Sequence, residues 1–587
     1  QSVDFLEAWR DREIVRRGSD GLFFRRQGDR LVDLDTGADA GEADPADLTE
    51  ARPNGGVRRA IGEALVQFQL SDPDIVRRTA AVQAIARSLD AGQLDPLAAS
   101  VATEPDAALK ATKERLVQML TALHGPSPEA RIAAIEALSS DISVDVRAVL
   151  NRIVATTAEI APALPEGANI ARVYQPGADL DLEAAYQRLV EAGLAQPRIA
   201  PAALREALIA NIENGAVAGI PVADLDTAEA RIRAYSALAA AGKAPPFVDD
   251  ATRQAAVDAH VFFDRYAEPD PAITAAAGEA LTRIGQTVGL YQVADLALDG
   301  LSLASIYFLA AIGLAITFGV MGVINMAHGE FIMMGAYTGY VIQLFVPDYT
   351  LSILIALPVA FAVTFAAGVT MERLVIRHLY HRPLETLLAT FGISIALQQL
   401  AKNIFGTQAR PLTSPGWLDG ALTFNDVVSI SYIRIAIFVL ALLFLALILF
   451  VLKRTRLGLE VRAVTQNPGM AASMGINPDR INMLTFGLGS GIAGIAGVAI
   501  GLYAKVTSEM GADYIVQSFM TVVVGGVGNV WGTLAGASLI GFLQKGIEWF
   551  NPSNTLAAQT YMILFIILFI QFRPKGIVAL KGRAAGD

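Results

Sequence analysis

The sequence predicts an all-α protein in two parts: a polytopic membrane domain of about eight to ten helical segments, preceded by a HEAT-like helical solenoid with a small β-hairpin. Composition supports this, because the 587 residues are 53% hydrophobic and their mean hydropathy is +0.44, high for a soluble chain. Charge supports it too. From Tyr291 onward there are 14 acidic and 17 basic residues, net +3, whereas the preceding part has 43 and 29, net −14. We therefore predict an acidic domain over residues 1–285 and a membrane domain over residues 296–580.

Nine segments of the second part are apolar enough to be candidate membrane crossings, each of which needs about 20 residues. Several are short or rich in glycine, so some are expected to be half-length or tilted helices. The segments are 301–323, 331–346, 351–374, 384–405, 433–451, 483–506, 515–527, 531–547 and 557–572.

Basic residues predict the orientation of these segments, because loops rich in Lys and Arg stay on the cytoplasmic side. Such loops follow the third, fifth and last segments. If all three are cytoplasmic, odd-numbered segments run inward and the acidic domain lies outside. The chain begins at Gln1 rather than Met, so an upstream segment is expected, and a secretory signal there would agree with this orientation. The basic residues are Arg373, Arg377 and Arg382; Lys453, Arg454, Arg456 and Arg462; and Arg573, Lys575, Lys581 and Arg583.

Polar residues inside the apolar zone are candidates for a solute pathway, because ionisable groups at membrane depth are rare. Asn325, His328 and Glu330 lie where the first segment meets the second. They mark either a pathway mouth or helix break, or a polar turn with Glu330 near a helix N-terminus, where negative charge is favoured. Gln398 and Gln399, in the fourth segment, either bind a polar solute or bridge helices. The sequence leaves both choices open.

Glycines at four-residue spacing in the sixth segment predict close helix packing. Gly487 and Gly491 form one such pair, and Gly497 and Gly501 form another. The glycines of residues 525–532 are interpreted as a tight turn between helices, since no βαβ unit surrounds them to make a nucleotide-binding loop.

The longest connection predicted to be cytoplasmic covers residues 452–480. Residues 460–466 and 469–474 are each long enough for a short surface helix. Gly475 follows as a helix stop. Short helices carried across the inner face of a membrane protein indicate a docking element for a cytoplasmic partner.

Four motifs, in Asn325–Glu330, 462–467, 471–477 and 525–537, resemble those of permease subunits of ATP-binding-cassette importers for branched-chain amino acids and their relatives. The resemblance covers roughly residues 296–580. It implies a second permease subunit, two ATPase subunits, an extracytoplasmic solute-binding protein and no cofactor. It also implies that the 452–480 connection holds the ATPase-coupling helix, whose candidate residues are Arg462, Gln466, Asn467, Met474 and Gly475.

Within this family, the long N-terminal extension and residues 52–59 resemble the first of the two urea-importer permeases. Urea is therefore the expected solute, with branched-chain or other amino acids or short amides as the alternative. A stand-alone carrier or channel would need a charged relay or inverted repeats in the membrane, which we do not find. A membrane enzyme would need several catalytic groups close together. The best candidate pair, His328 and Glu330, has only two residues, which are few for a catalytic site. No nucleotide-binding Gly-x-x-x-x-Gly-Lys motif occurs, so ATP hydrolysis is assigned to partner subunits.

The acidic domain is rich in alanine and shows helical periodicity. Residues 75–85, 130–138 and 273–281 each follow a proline near a helix start, as in HEAT-type repeats. Residues 22–34 predict a lone β-hairpin. The sequence has no cysteine, and His124 and His260 lack the spacing of metal ligands, so no catalytic or metal site is predicted. The sequence pI of about 5.1 argues against a nucleic-acid partner.

Overall fold

The computed structural model describes residues 2–42, 45–380 and 382–578. The chain divides into two compact units, Gln1–Thr287 and Val288–Asp587, and the boundary falls inside a helix over Pro271–Met321. The predicted basic residues Lys581 and Arg583 lie outside the described residues.

The first unit begins with a helix and five short strands and continues mainly as helices, with further short strands among them. Polar caps set many helix starts. At one of them Ser127 accepts a 3.3 Å hydrogen bond from the backbone N–H of Ala130, with Pro128 in the first turn. The helices are α1 (Ser2–Arg10), α2 (Gly55–Gln69), α3 (Ile75–Ser88), α4 (Leu94–Val101), α5 (Ala107–His124), α6 (Pro128–Leu138), α7 (Val144–Ile153), α8 (Leu182–Glu191), α9 (Pro201–Ala210), α10 (Ala228–Ala240) and α11 (Asp250–Asp258).

Strands in this unit correct the all-α prediction. The predicted hairpin is present but is not alone, because its two strands belong to a five-stranded sheet of order β4-β3-β2-β1-β5. The additional strands are short and contain charged residues, so they lack the alternation of apolar and polar residues that predicts a strand. The strands are β1 (Ile14–Arg17), β2 (Phe23–Gln27), β3 (Arg30–Asp33), β4 (Asp39–Glu42), β5 (Leu48–Glu50), β6 (Thr156–Ala161), β7 (Ile170–Tyr174), β8 (Ile212–Glu213), β9 (Ala216–Val217), β10 (Ile220–Pro221) and β11 (Val261–Tyr266).

The predicted HEAT-like solenoid is likewise not shown by the structure of this unit. Helices α2 to α7 pack on one another, but residues 156–266 then form the β6-β11-β7 sheet and a small three-stranded sheet among their helices. Residues 75–85 and 130–138 are helical as predicted. Residues 273–281, by contrast, open the long helix Pro271–Met321 instead of forming a repeat of their own.

A buried ionic cluster holds α3 and α5 together. The Glu104 carboxylate, fully buried, lies 2.7 Å from Nζ of Lys113 and 3.0 Å from a guanidinium nitrogen of Arg78. Lys113 also donates a 2.8 Å hydrogen bond to the carbonyl oxygen of Leu70. Burial by itself raises the pKa of Glu104, but the hydrogen bonds from Lys113 and Arg78 outweigh it and lower that pKa to about 2.

The second unit is helical apart from one two-stranded hairpin. Each of the nine predicted apolar segments lies mainly within one of its helices. The elements are α12 (Pro271–Met321), α13 (His328–Phe345), α14 (Tyr349–Leu374), α15 (Pro383–Phe405), β12 (Ala421–Thr423), β13 (Ser429–Ser431), α16 (Tyr432–Arg454), α17 (Arg456–Gln466), α18 (Pro468–Ser473), α19 (Pro478–Tyr503), α20 (Met510–Gly525), α21 (Val530–Phe550) and α22 (Thr555–Phe572).

The number of spanning helices is smaller than the eight to ten predicted. Among the described residues, five helices are long and apolar enough to cross a membrane: α12, α14, α15, α16 and α19. Helices α20 and α21 qualify as a pair bent by 118°, which brings the number to at most six. The prediction of eight to ten was too high even though it allowed for half-length helices, because α13 carries polar residues in its first turn, α22 is short, and α20 and α21 form one bent pair. The second unit is nevertheless that of a multi-pass membrane protein.

The loops carrying the three basic clusters meet at one end of this unit. Nε of Arg373, after α14, lies 3.1 Å from Sδ of Met483 at the start of α19. The N-terminal part of α19 packs against α17, which follows the basic end of α16. After α22, Ile577 and Val578 donate backbone hydrogen bonds to Val524 and Gly525, at the bend between α20 and α21. A cavity of about 330 Å³ joins that bend to α17 and the ends of α12 and α16.

Candidate functional site

The chain folds back into the helical unit between α12 and α13. Nε2 of His328, the first residue of α13, lies 2.8 Å from the carbonyl oxygen of Ala310. Ala310 is eleven residues before the end of α12 at Met321, a distance of about 16 Å along the helix. Helix α13 therefore begins beside the interior of α12 rather than at its end, and the Asn325–Glu330 motif is a helix break inside the helical unit.

The irregular backbone of this break runs from exposed Gly322 into the protein, where Val323, Asn325 and Ala327 are buried. Asn325 is buried, and its Oδ1 accepts a 3.0 Å hydrogen bond from the backbone N–H of Ala327. Oγ1 of Thr390, on α15, accepts a 3.1 Å bond from the N–H of Met326. Asn325 thus shapes the turn, and a helix from another segment completes its hydrogen bonding.

Glu330 forms the polar centre of this region. It lies in the first turn of α13 and is 1% exposed. Its Oε1 accepts 2.9 Å hydrogen bonds from Oγ of Ser394 and Nε2 of Gln398, both on α15. Its Oε2 is buried and has no hydrogen-bond partner in the described parts of the chain. Gln399 is exposed and lies outside this cluster, so the structure separates the two glutamines that the sequence treated together.

The start of α20 meets the start of α13 at this point. A Cβ atom on Gly329 would lie 2.1 Å from the carbonyl oxygen of Gly511. A Cβ atom on Gly511 would lie 2.8 Å from the carbonyl oxygen of Gly329 and 2.9 Å from Oε2 of Glu330. The two helix N-termini, each carrying the positive end of a helix dipole, therefore converge around the Glu330 carboxylate.

A large polar cavity opens at the end of the unit opposite to the basic loops. It has a volume of about 810 Å³ and is bordered by α12, the start of α16, the end of α19 and parts of α20 to α22. Asp299 and Arg434 pair with each other in its wall, as do Lys545 and Glu548. The remaining charged lining residues, Lys505 and Asp513, form no ion pair with any described residue.

No local motif in the sequence predicts this cavity, because its lining residues come from helix ends that are far apart in the chain. One signal was available: Asp299 and Arg434 are opposite charges near the starts of two apolar segments.

The 452–480 connection contains the two predicted short helices, as α17 and α18. The buried face of α17, with Val461 and Val464, packs on Ala471 and on Ile481 of α19. Leu459, Met470 and Met474 are exposed large apolar side chains on the outside of this connection.

The five coupling candidates occupy different positions in it. Arg462 and Gln466 line the 330 Å³ cavity beside the α20–α21 bend. Asn467 caps α18 by accepting a 2.9 Å hydrogen bond from the N–H of Met470. Met474 ends α18 and is 77% exposed, and Gly475 follows with a φ of +83°, a conformation that favours glycine.

The predicted packing glycines all lie on α19 at positions where neighbours approach closely. Gly497 faces the carbonyl oxygen of Ile332 on α13, and Gly489 faces that of Gly313 on α12. Such spacing lets backbones touch without intervening side chains. The distances from an added Cβ atom to the nearest neighbour are 2.8 Å at Gly487, 2.6 Å at Gly491, 1.9 Å at Gly497 and 3.1 Å at Gly501.

Comparison with known proteins finds similarity across the second unit. The family described as branched-chain amino acid transport system permease component matches residues 296–571. The chain is 31% identical over 300 residues to the high-affinity branched-chain amino acid transport system permease protein BraD of Pseudomonas aeruginosa, covering 49% of this chain and 96% of that protein. It is 27% identical to LivH of Escherichia coli K12, covering 48% and 93%, and 25% identical to LivM of Salmonella typhimurium, covering 51% and 75%. No solved structure matches the chain.

These relatives are permease components, which are transport subunits and not enzymes. The similarity runs through the helix break, the α20–α21 bend and the connection with α17 and α18. With 31% identity over almost the whole of BraD, this chain belongs to the family of branched-chain amino acid transport system permeases.

Proposed function

We propose that this chain is the permease subunit of an ATP-binding-cassette importer that moves a small polar solute across the inner membrane. One arrangement carries the proposal: the 810 Å³ polar cavity lies at one end of the helical unit, and the exposed helices α17 and α18 lie at the other. The cavity would receive the solute. The apolar side chains Leu459, Met470 and Met474 would dock on an ATPase subunit, with Arg462 and Gln466 behind them at the α20–α21 bend.

The solute that we propose is an amino acid. The relatives reported above are named for branched-chain amino acids. In addition, Lys505 and Asp513 give the cavity wall one positive and one negative charge that are not paired with described residues. A zwitterion carries the complementary pair of charges. The comparisons give no support to urea, the solute favoured by sequence analysis, and fit its amino acid alternative better.

Urea is kept as a second candidate because of the acidic unit. About half of this chain covers 96% of BraD and 93% of LivH, so those relatives have little sequence left to match the acidic unit. The extension that resembles the urea-importer permease is therefore a feature in which this chain differs from them.

The family implies partners, and we propose their number and placement. The permease would pair with a second permease subunit above two ATPase subunits, with the loops of the basic clusters on the cytoplasmic side. The acidic unit would then lie outside the cytoplasm, where it would contact a solute-binding protein or the second permease. Asn325, His328, Glu330 and Gln398 are proposed to border the solute path, whereas Gln399 is exposed on α15.

Uptake measurements test this function. We expect deletion of the gene to abolish uptake of a radiolabelled branched-chain amino acid, and the parental gene to restore it. Asp513→Asn should lower that uptake, whereas Asp426→Asn, a matched change of an exposed acid near β13, should not. Loss of urea uptake alone would favour the second candidate. Unchanged uptake of both solutes would overturn the proposal.

A further inference from the structure

We propose that Oε2 of Glu330 is the acceptor for an N–H group of the solute in transit, at the point where the N-termini of α13 and α20 converge. This inference rests on the proposed transport function and names the chemistry of its deepest binding site. The ligand class is a solute with N–H donors: the ammonium group of an amino acid, or the amide groups of a urea-like molecule.

The first argument is the hydrogen bonding of Glu330. The protein directs two donors, Ser394 and Gln398, to one carboxylate oxygen and leaves the other buried without a described partner. A buried acceptor without a donor is costly, and such groups in native proteins call for an explanation. A solute N–H would satisfy this oxygen, and its departure would restore the arrangement seen here.

The second argument is the electrostatic setting. The positive ends of two helix dipoles meet beside Glu330, an arrangement that attracts negative charge, and hydrogen bonds to a carboxylate are stronger than those between neutral groups. The close approach of Gly329 and Gly511 leaves no room for a side chain between the two helices. In transporters, half-length helices that end near the membrane midplane commonly border the substrate site.

The third argument is that α20 lies between Glu330 and the large cavity. Met510, Asp513 and Gln517 of α20 line that cavity, while a Cβ atom added to Gly511 of the same helix would lie 2.9 Å from Oε2 of Glu330. A rotation or shift of α20 would therefore connect the cavity to this oxygen. Oε1 of Gln517, buried without a described partner, would move with it and offers a second acceptor along the same route.

The test uses the full chain in the assembled transporter, reconstituted into vesicles. Glu330→Gln keeps the side-chain volume and removes the charge. If the solute is an amino acid, we expect its KM to rise by about tenfold or more, because hydrogen bonds to charged groups are the stronger class. If it is urea, the loss of charge should raise KM by about threefold. The matched control is Gln399→Leu, next to the cluster on the same helix, which should keep the parental KM.

A second pair of measurements covers the case in which Glu330→Gln fails to assemble. Gln398→Leu removes a donor that orients Glu330 and should raise KM, whereas Gln399→Leu should not. In the parental transporter, an N-trimethylated amino acid or tetramethylurea, both without N–H donors, should not compete for transport.

The outcomes separate this inference from the proposed function. A parental transporter that carries neither solute contradicts the function itself. A parental transporter that works, together with an assembled Glu330→Gln variant of unchanged KM, overturns the role of Glu330 alone. If the variant does not assemble, equal KM values for the Gln398→Leu and Gln399→Leu variants overturn it.

Discussion

Nε2 of Gln398 lies 2.9 Å from Oε1 of Glu330, so α15 and α13 are joined by a polar contact inside the helical unit. Sequence analysis gave Gln398 two alternative roles, solute contact or helix bridge. In the structure it bridges the helices, and by doing so it orients the carboxylate whose other oxygen has no partner in the described chain. The two roles are thus compatible, because the bridge fixes the position of a candidate solute contact.

The 452–480 connection, proposed to dock on an ATPase subunit, provides the first prediction. Gly475→Val should lower solute-stimulated ATP hydrolysis several-fold, because Gly475 has a φ of +83° that a β-branched residue adopts with strain of about 1–3 kcal/mol. Steric crowding does not contribute to this expected loss, since a Cβ atom added to Gly475 would have no neighbour within 4 Å. Gly475→Asn, which tolerates this φ, should remain close to the parent, and Gln466→Ala should cost about 0.5–1.5 kcal/mol. Normal coupling in an assembled Gly475→Val transporter would exclude this connection as the transmission element.

Packing at α19 provides the second prediction. Gly497→Ala should destabilise the protein by about 1–3 kcal/mol or more, because the new Cβ atom would lie 1.9 Å from the carbonyl oxygen of Ile332. Gly546→Ala, in α21, is the control, since its Cβ atom would have open space and helices favour alanine by up to about 1 kcal/mol. Thermal unfolding in detergent measures both. Equal thermal unfolding midpoints for the Gly497→Ala and Gly546→Ala variants would contradict the close approach of α13 and α19.

Independent folding of the first unit is the third prediction. Residues 1–287 expressed alone should be soluble, since their apolar helix faces pack on one another. Circular dichroism should show a mainly helical spectrum with a contribution from the sheets. A spectrum typical of a disordered chain would contradict the independent folding of this unit.

The buried cluster in that unit gives a prediction about pH. The pKa of Glu104 is lowered from 4.5 in an unfolded chain to about 2 in the folded one. Its stabilising contribution is therefore complete above about pH 4.5 and is lost as the pH falls towards 2. The free energy of unfolding of the 1–287 fragment, measured with urea, should decrease over this window.

Removing one partner of the cluster tests the same interaction at neutral pH. Lys113→Met should lower the free energy of unfolding by about 3–5 kcal/mol, because it leaves the Glu104 carboxylate with one cation fewer. Lys110→Met, on the same helix and without an ion pair to described residues, should change it by less than about 0.5 kcal/mol. Similar effects of both substitutions would contradict the importance of the cluster.

Topology gives the last prediction. Protease added to right-side-out cells with a permeable outer layer should cleave within residues 1–290 and spare residues 452–480. Inverted vesicles should give the reverse pattern. Cleavage of the 452–480 connection alone in cells would reverse the proposed orientation.

Helices were the part of the fold that could be predicted from sequence. Apolar runs and the helix stop at Gly475 are local signals, so the nine segments and the two short helices of the 452–480 connection could be located. The number of membrane crossings could not be predicted from the sequence. Whether α13 starts at the surface or halfway through the unit depends on the contact between His328 and Ala310, which no local pattern encodes.

The candidate site was predictable in part for the same reason. Asn325, His328 and Glu330 were visible as polar residues in an apolar zone, but their partner Ser394 and the neighbour Gly511 come from distant segments. In the first unit, strands of only three or four residues, such as β4 (Asp39–Glu42), are too short to show an alternation of apolar and polar residues. They form because neighbouring strands supply their hydrogen bonds.

The glycine contacts of α19 have a mechanical consequence. At Gly489 and Gly497 this helix touches the backbones of α12 and α13 directly, and at Gly491 it meets Phe361 of α14. Contacts of this kind do not slide, since an ångström of movement would drive carbonyl oxygens into the opposing chain. We therefore expect helices α12, α13, α14 and α19 to move as one group in a transport cycle. Gly511 of α20 and Gly528 of the α20–α21 bend approach Gly329 and Gly319 just as closely, so a shift of α20 would have to separate these two contacts while those of α19 hold.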